Sequence, residues 1–178
     1  MKEELFTLPP ELISRYGTND PFRIAGCMKN VHLKYFDAHS QKGFCTNILN
    51  NYYIFINENL SQPMKRMVCA HELGHILFHK DRLLRDESGK LRQLVEWELF
   101  DIKDSTEYEA NLFAANLLIN TDALKEMIYE GRDIVSIASA FDVNVNLVAL
   151  KIAETRFEGV KVPFIPGQNF LGKIKDIS

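Results

Sequence analysis

Cysteine is scarce in this chain. The three present, Cys27, Cys45 and Cys69, are far apart and show no paired spacing, which excludes a disulfide framework and a cysteine-built metal site and points to a reducing compartment. Long apolar runs are missing too, since none approaches the ~18 residues of a membrane span. The segment Met1-Lys2-Glu3-Glu4-Leu5 lacks the apolar core of a signal peptide. The expectation is a cytoplasmic protein with no membrane partner. Nor is there an excess of one charge: 21 basic against 24 acidic residues leave a net charge of −3, which gives no global reason to bind nucleic acid or anionic lipid. Repeats, Gly/Ser tethers and low-complexity blocks are also absent. What remains is 178 residues, 46% of them hydrophobic, enough to bury a full core without staples. We expect one domain over residues 1–178, with a core at about 1–120, a helical subdomain at about 121–160 and an irregular tail at 161–178, where Pro163, Pro166, Gly167 and Gly172 interrupt regular structure.

Hydrophobic patterning predicts an α+β fold, mainly helical with a small three-stranded twisted sheet. Residues 11–16 and 21–28 read as short helices, with Pro21 suited to a helix start. Residues 31–57 switch to β patterning, and Asn50-Asn51 suits a tight hairpin between strands at 44–49 and 52–56. Ser61 can cap a helix running through about residue 79, and further helices follow at 106–119, 122–129, 134–141 and 145–156. The charged stretch 80–104 lacks a clear period and suits a lid or wall of a cleft.

The decisive segment is His71-Glu72-Leu73-Gly74-His75. On a helix His75 lies about 40° round from His71 and Glu72 about 100°, so three side chains share one face within one turn. Two imidazoles so spaced can hold one zinc ion per chain, leaving Glu72 beside the metal as a general base for an attacking water. Gly74 implies a close approach by another segment, because glycine inside a helix costs about 1 kcal/mol relative to alanine.

A catalytic zinc ordinarily takes three protein ligands. His79 lies roughly 12 Å along the helix from His71 and so cannot share its metal while the helix continues; packing or a hydrogen bond behind the ligands suits it better. The segment Glu107-Tyr108-Glu109-Ala110-Asn111 is the better source. Its two glutamates lie about 200° apart, so only one faces the metal. Glu107 is preferred because Asn111, one turn on, can hydrogen-bond the far nitrogen of a ligating histidine, whereas Glu109 can form a capping box with Thr106.

These residues resemble a known family, the zincin-class metallopeptidases grouped as ImmA/IrrE-like endopeptidases. The resemblance rests on residues 65–75 with His79, on residues 107–115 followed by Leu117-Leu118, and on similarity around residues 16–25 and 54–57, about residues 12–120 in all. It implies a zincin-like fold with the sheet beside the active-site helix, and zinc-dependent cleavage of a DNA-binding helix-turn-helix repressor. One departure is Ile119-Asn120 where family members commonly have Met-Pro, which touches the helix exit more than the metal site.

Two other readings stand beside this one. Residues 134–152 resemble a helix-turn-helix, but the second helix offers little beyond Lys151 for phosphate contacts, so direct DNA binding is not expected. A zinc-holding sensor with little peptidase activity is the third reading, and Glu72 argues against it. Tyr52, Tyr53, Tyr108 and His79 are candidates for stabilising a developing oxyanion. Finally, the strand at 52–57 is expected to offer a free edge to an extended substrate.

Overall fold

The computed structural model describes residues 2–83, 93–96 and 105–155. The expected irregular tail, and most of the expected lid or wall, fall outside these residues. The chain divides into two compact units, residues 1–118 and 119–178.

In the first unit, α1 (Glu4–Tyr16) contains Pro9 and Pro10 in its interior and so begins well before the expected start at residue 11. Pro9 has no N–H to give the Leu5 carbonyl four residues back. That carbonyl instead accepts a hydrogen bond from Asn116 Nδ2 at 2.9 Å, so the proline gap becomes a tie between distant helices. Gly17 ends α1 with φ 66°, and Asp20 caps α2 (Pro21–Cys27) by accepting from the Phe22 N–H at 3.0 Å.

Four strands follow: β1 (Val31–Phe36), β2 (Gly43–Ile48), β3 (Asn51–Asn57) and β4 (Gln93–Glu96), in the spatial order β1-β3-β2-β4. The three expected strands are present, and β4 adds a fourth from the charged stretch. β1 runs parallel to β3, while β2 is antiparallel to both β3 and β4. The hairpin turn is Leu49-Asn50, with φ 52° and 63°, one residue earlier than expected, because Asn51 already pairs with Ile48.

One expectation is corrected here. β3 has no free edge, since β1 bypasses β2 in space and occupies β3's other side. An extended substrate therefore has no place to add on that strand.

Helix α3 (Gln62–Phe78) starts at Ser61, whose hydroxyl accepts from the Met64 N–H at 3.4 Å, and every residue from Met67 to Ile76 is buried. An ordinary surface helix buries one stripe; α3 is covered on several sides because it packs on α2, on β2 and β3, and on α4 (Ser105–Leu118). Burying Leu73, Ile76, Leu112 and Phe113 stabilises this layer by about 1.5–3 kcal/mol per side chain. Two glycines set the spacing. A Cβ on Gly74 would sit 3.1 Å from Ala110 Cα and from Phe113 Cδ1, so α4 is the segment that approaches closely there. A Cβ on Gly43 would strike Val68 Cγ1 and lie 2.9 Å from the Phe55 carbonyl, so β2 also lies hard against α3.

The second unit holds α5 (Thr121–Tyr129), α6 (Ile134–Phe141) and α7 (Val145–Thr155). Asn120 caps α5 by accepting from the Ala123 N–H at 2.9 Å, which gives the unusual Ile119-Asn120 exit a physical role. Asp133 caps α6 through the Ser136 N–H at 2.8 Å, and Asp142, at φ 55°, ends it. α6 and α7 meet at 106° around Ile137, Leu147, Val148 and Leu150, all buried. Among the described residues no single helix is long and apolar enough to cross a membrane.

Candidate metal centre

The i, i+4 spacing on α3 brings the His71 and His75 Nε2 atoms to 2.9 Å from each other. The close crossing at Gly74 and Ala110 then places Glu107, one turn before Ala110 on α4, opposite them. Glu107 Oε2 lies 3.2 Å from His71 Nε2 and Oε1 lies 3.3 Å from His75 Nε2. Each of the three side chains offers one donor atom, and these atoms all lie within 4.8 Å of one another, close enough to share a single metal ion. Among the described residues no other three His, Cys, Asp or Glu side chains converge in this way.

The protonation states suit ligation. Burial pushes the His75 imidazole down to about 4, against the pull of the Glu107 carboxylate, so it is neutral at pH 7 with a lone pair to give. Burial alone would raise the Glu107 carboxyl, but hydrogen bonds to His71 and His75 hold it well below the usual carboxylate range. A neutral imidazole and an ionised carboxylate are the forms a divalent cation needs.

Glu72 is 1% exposed and lies against β2, with Oε1 at 3.6 Å from where a Gly43 Cβ would be. The Cys45 thiol is buried beside it, and burial, then the charge and hydrogen bond of Glu72, push that thiol well above its usual range. Neither Gly43 nor Cys45 stood out in the sequence, because their place depends on how a strand packs on a helix. A lone glycine opening a strand pattern was the one available signal.

Behind the donors, Asn111 Oδ1 lies 2.9 Å from His71 Nδ1. His75 Nδ1 lies 3.0 Å from His79 Nδ1, and His79 Nε2 lies 3.0 Å from Glu109 Oε2. Glu109 thus meets His79, away from the three converging donors, and Thr106 lies inside α4. Among the candidates for stabilising an oxyanion, Tyr53 is on the wrong face of the sheet. It packs against His32 and Phe55, with ring centroids at 5.0 and 6.4 Å, while the alternate residues Ile54 and Ile56 are buried.

Comparison with known proteins now adds to the geometry. The family model of the M78 peptidases, described as the IrrE N-terminal-like domain, matches residues 28–153. Metallopeptidase ImmA of Bacillus subtilis (strain 168) is 32% identical over 136 residues, 74% of each chain. An uncharacterized immunity region protein 2 of Bacillus phage phi105 is 35% identical over 109 residues, 61% of this chain and 63% of that protein. The match therefore spans somewhat less than two thirds of the phage protein's length. With the family model covering most of the sequence, and His71, His75 and Glu107 converging within it, the chain belongs to the M78 peptidase family of IrrE N-terminal-like domains.

Proposed function

We propose that this protein is a zinc-dependent endopeptidase of the cytoplasm that cleaves a DNA-binding transcriptional repressor. His71, His75 and Glu107 hold the ion, one per chain, and Glu72 is the general base. The observation that carries the reading is the convergence of two imidazole nitrogens and the Glu107 carboxylate, in contacts of 2.9–3.3 Å, with a buried carboxylate one residue from the first donor. Zinc, when bound, supplies a Lewis acid that polarises a peptide carbonyl and makes water a better nucleophile. Glu72 accepts the proton of the attacking water at its carboxylate and then returns it to the departing amine. Asn111 accepts the His71 Nδ1 proton and so turns Nε2 toward the ion.

A protein substrate agrees with the name of the similar metallopeptidase ImmA, and a repressor as that substrate is what the family resemblance implies. A direct role on DNA is disfavoured by Lys151. It was the cation that the second helix of the α6–α7 pair had to offer, and it is only 3% exposed, out of reach of the phosphates that dominate such affinity.

The test is co-expression of the chain with a neighbouring helix-turn-helix repressor, if there is one, followed by mass spectrometry of the repressor. Fragments should appear with the intact protein and not with Glu72→Gln. An intact repressor in the presence of the zinc-loaded protein would count against this substrate.

A further inference from the structure

The two histidines of the centre are held from behind in different ways. His71 leans on a neutral amide, Asn111. His75 leans on a second imidazole, which in turn leans on a carboxylate. We propose that His79 and Glu109 are positioning residues that fix the tautomer and ring orientation of His75, an inference that rests on the metal-centre reading above.

The assignment follows from counting protons. If His75 Nε2 faces the ion with a free lone pair, its one proton sits on Nδ1. The partner of Nδ1 is another ring nitrogen, His79 Nδ1 at 3.0 Å, and only one of the two can carry the hydrogen. His75 therefore donates and His79 Nδ1 accepts. The His79 proton is then on Nε2, where it donates to Glu109 Oε2 at 3.0 Å. Every role along the chain is fixed, and it runs in one direction from the metal ligand to a carboxylate.

The surroundings enclose the arrangement. His79 is 6% exposed and sits at the C-cap of α3, where φ −122° and ψ 33° leave helical geometry. Its ring lies 5.2 Å from the His75 ring, tilted by 55°, while its backbone N–H still donates to the His75 carbonyl at 2.9 Å. Glu109 comes from α4, the helix that also supplies Glu107 and Asn111. Positions 107, 109 and 111 thus each have a separate task around the same pair of histidines. Partners placed behind a metal ligand in this way are worth roughly 10–100-fold in metal affinity.

Zinc affinity of the full chain, measured by competition with a chromogenic chelator, tests the proposal through binding alone. His79→Phe keeps a ring and removes the acceptor, and affinity should fall about 10–100-fold. Glu109→Ala should also weaken binding, Glu109→Gln should largely restore it because its amide oxygen can still accept from His79, and the double variant His79→Phe/Glu109→Ala should be no weaker than His79→Phe, since Glu109 acts only through His79. Normal affinity in folded His79→Phe, or additive losses in the double variant, would overturn the proposal. His71→Ala is the control for the underlying reading: if it too keeps normal affinity, the metal centre itself is misassigned, whereas loss in His71→Ala with none in His79→Phe sinks only the present inference. Should His79→Phe fail to fold, nitrogen-15 NMR of the zinc-loaded wild-type chain decides. A scalar coupling between His75 Nδ1 and His79 Nδ1 across a shared hydrogen is the expected signature, and a His79 ring protonated on Nδ1 instead of Nε2 would contradict it.

Discussion

Helices α3 and α7 both bury polar side chains, and they do so to different ends. In α3 the polar groups His71, Glu72 and His75 lie among ten consecutive buried residues, and each histidine meets a matching group from another position in the fold. In α7 the buried polar residue is Lys151, whose ammonium is pushed down to about 8 by burial. Burying polar groups costs free energy unless they are paired. The α3 histidines converge with Glu107 on one point, as a metal site requires, whereas the α7 lysine is withdrawn from the solvent in which a phosphate would reach it. The helix-turn-helix resemblance was already the weaker pattern for want of cations, and the burial of Lys151 withdraws the main one it had.

The sharpest way to break this contrast is to remove the proton acceptor in α3. Glu72→Gln keeps the shape of the side chain but cannot take a proton, so cleavage of a repressor substrate should fall by about 10²–10⁴-fold while zinc content stays stoichiometric. Undiminished cleavage by the zinc-loaded variant would refute the general-base role. Next in size is the donor set itself. Glu107→Ala should lose stoichiometric zinc in metal analysis, and Glu109→Ala should lose much less; the reverse order would make Glu109 the third ligand.

Acid should expose the same cluster in the metal-stripped protein. The folded state holds His75 neutral, at about 4 against 6.5 for a free side chain, so below pH 6.5 the unfolded chain takes up the proton first. Stability is therefore fully present above pH 6.5 and falls as the pH drops toward 4, by a loss on the order of 3 kcal/mol. Urea titrations at pH 7 and pH 4.5 would show it, and equal midpoints would contradict the buried neutral histidine. Gly74→Ala should cost about 1–2 kcal/mol, because the added methyl meets Ala110 backbone at 3.1 Å and the gain in helix propensity offsets only part of that strain. It should also weaken zinc binding by pushing α4 away, and a variant with higher stability and unchanged affinity would show that the crossing is not what sets the site. The smallest effect belongs to α7. Lys151→Met should leave zinc binding unchanged, because Lys151 is not among the converging donors, as read by chelator competition, whereas a loss of affinity would contradict that assignment.

Which parts of this were legible in the sequence follows from the range of each interaction. The α3 and α4 patterns, the Ser61 cap and the Glu107–Asn111 spacing are local, set by 3.6 residues per turn, and they could be read directly. The start of α1 could not, because Pro9 and Pro10 look like a helix stop until Asn116 is seen to take the Leu5 carbonyl. The central position of β3 was hidden for a similar reason: local alternation identifies strands, but the parallel pairing that sets Val31 beside Tyr52 is long-range. Cys45 showed only the absence of a paired spacing, and the packing of β2 on α3 sets it beside Glu72.

The central claim, two imidazoles and one carboxylate around a single zinc ion, is tested most directly by X-ray absorption on the zinc-loaded chain. The expected result is a first coordination shell of nitrogen and oxygen only at about 2.0–2.1 Å, with multiple-scattering intensity for two imidazoles. Intensity for a third imidazole, which would place His79 on the metal, or a sulfur at about 2.3 Å, which would place Cys45 there, would contradict it.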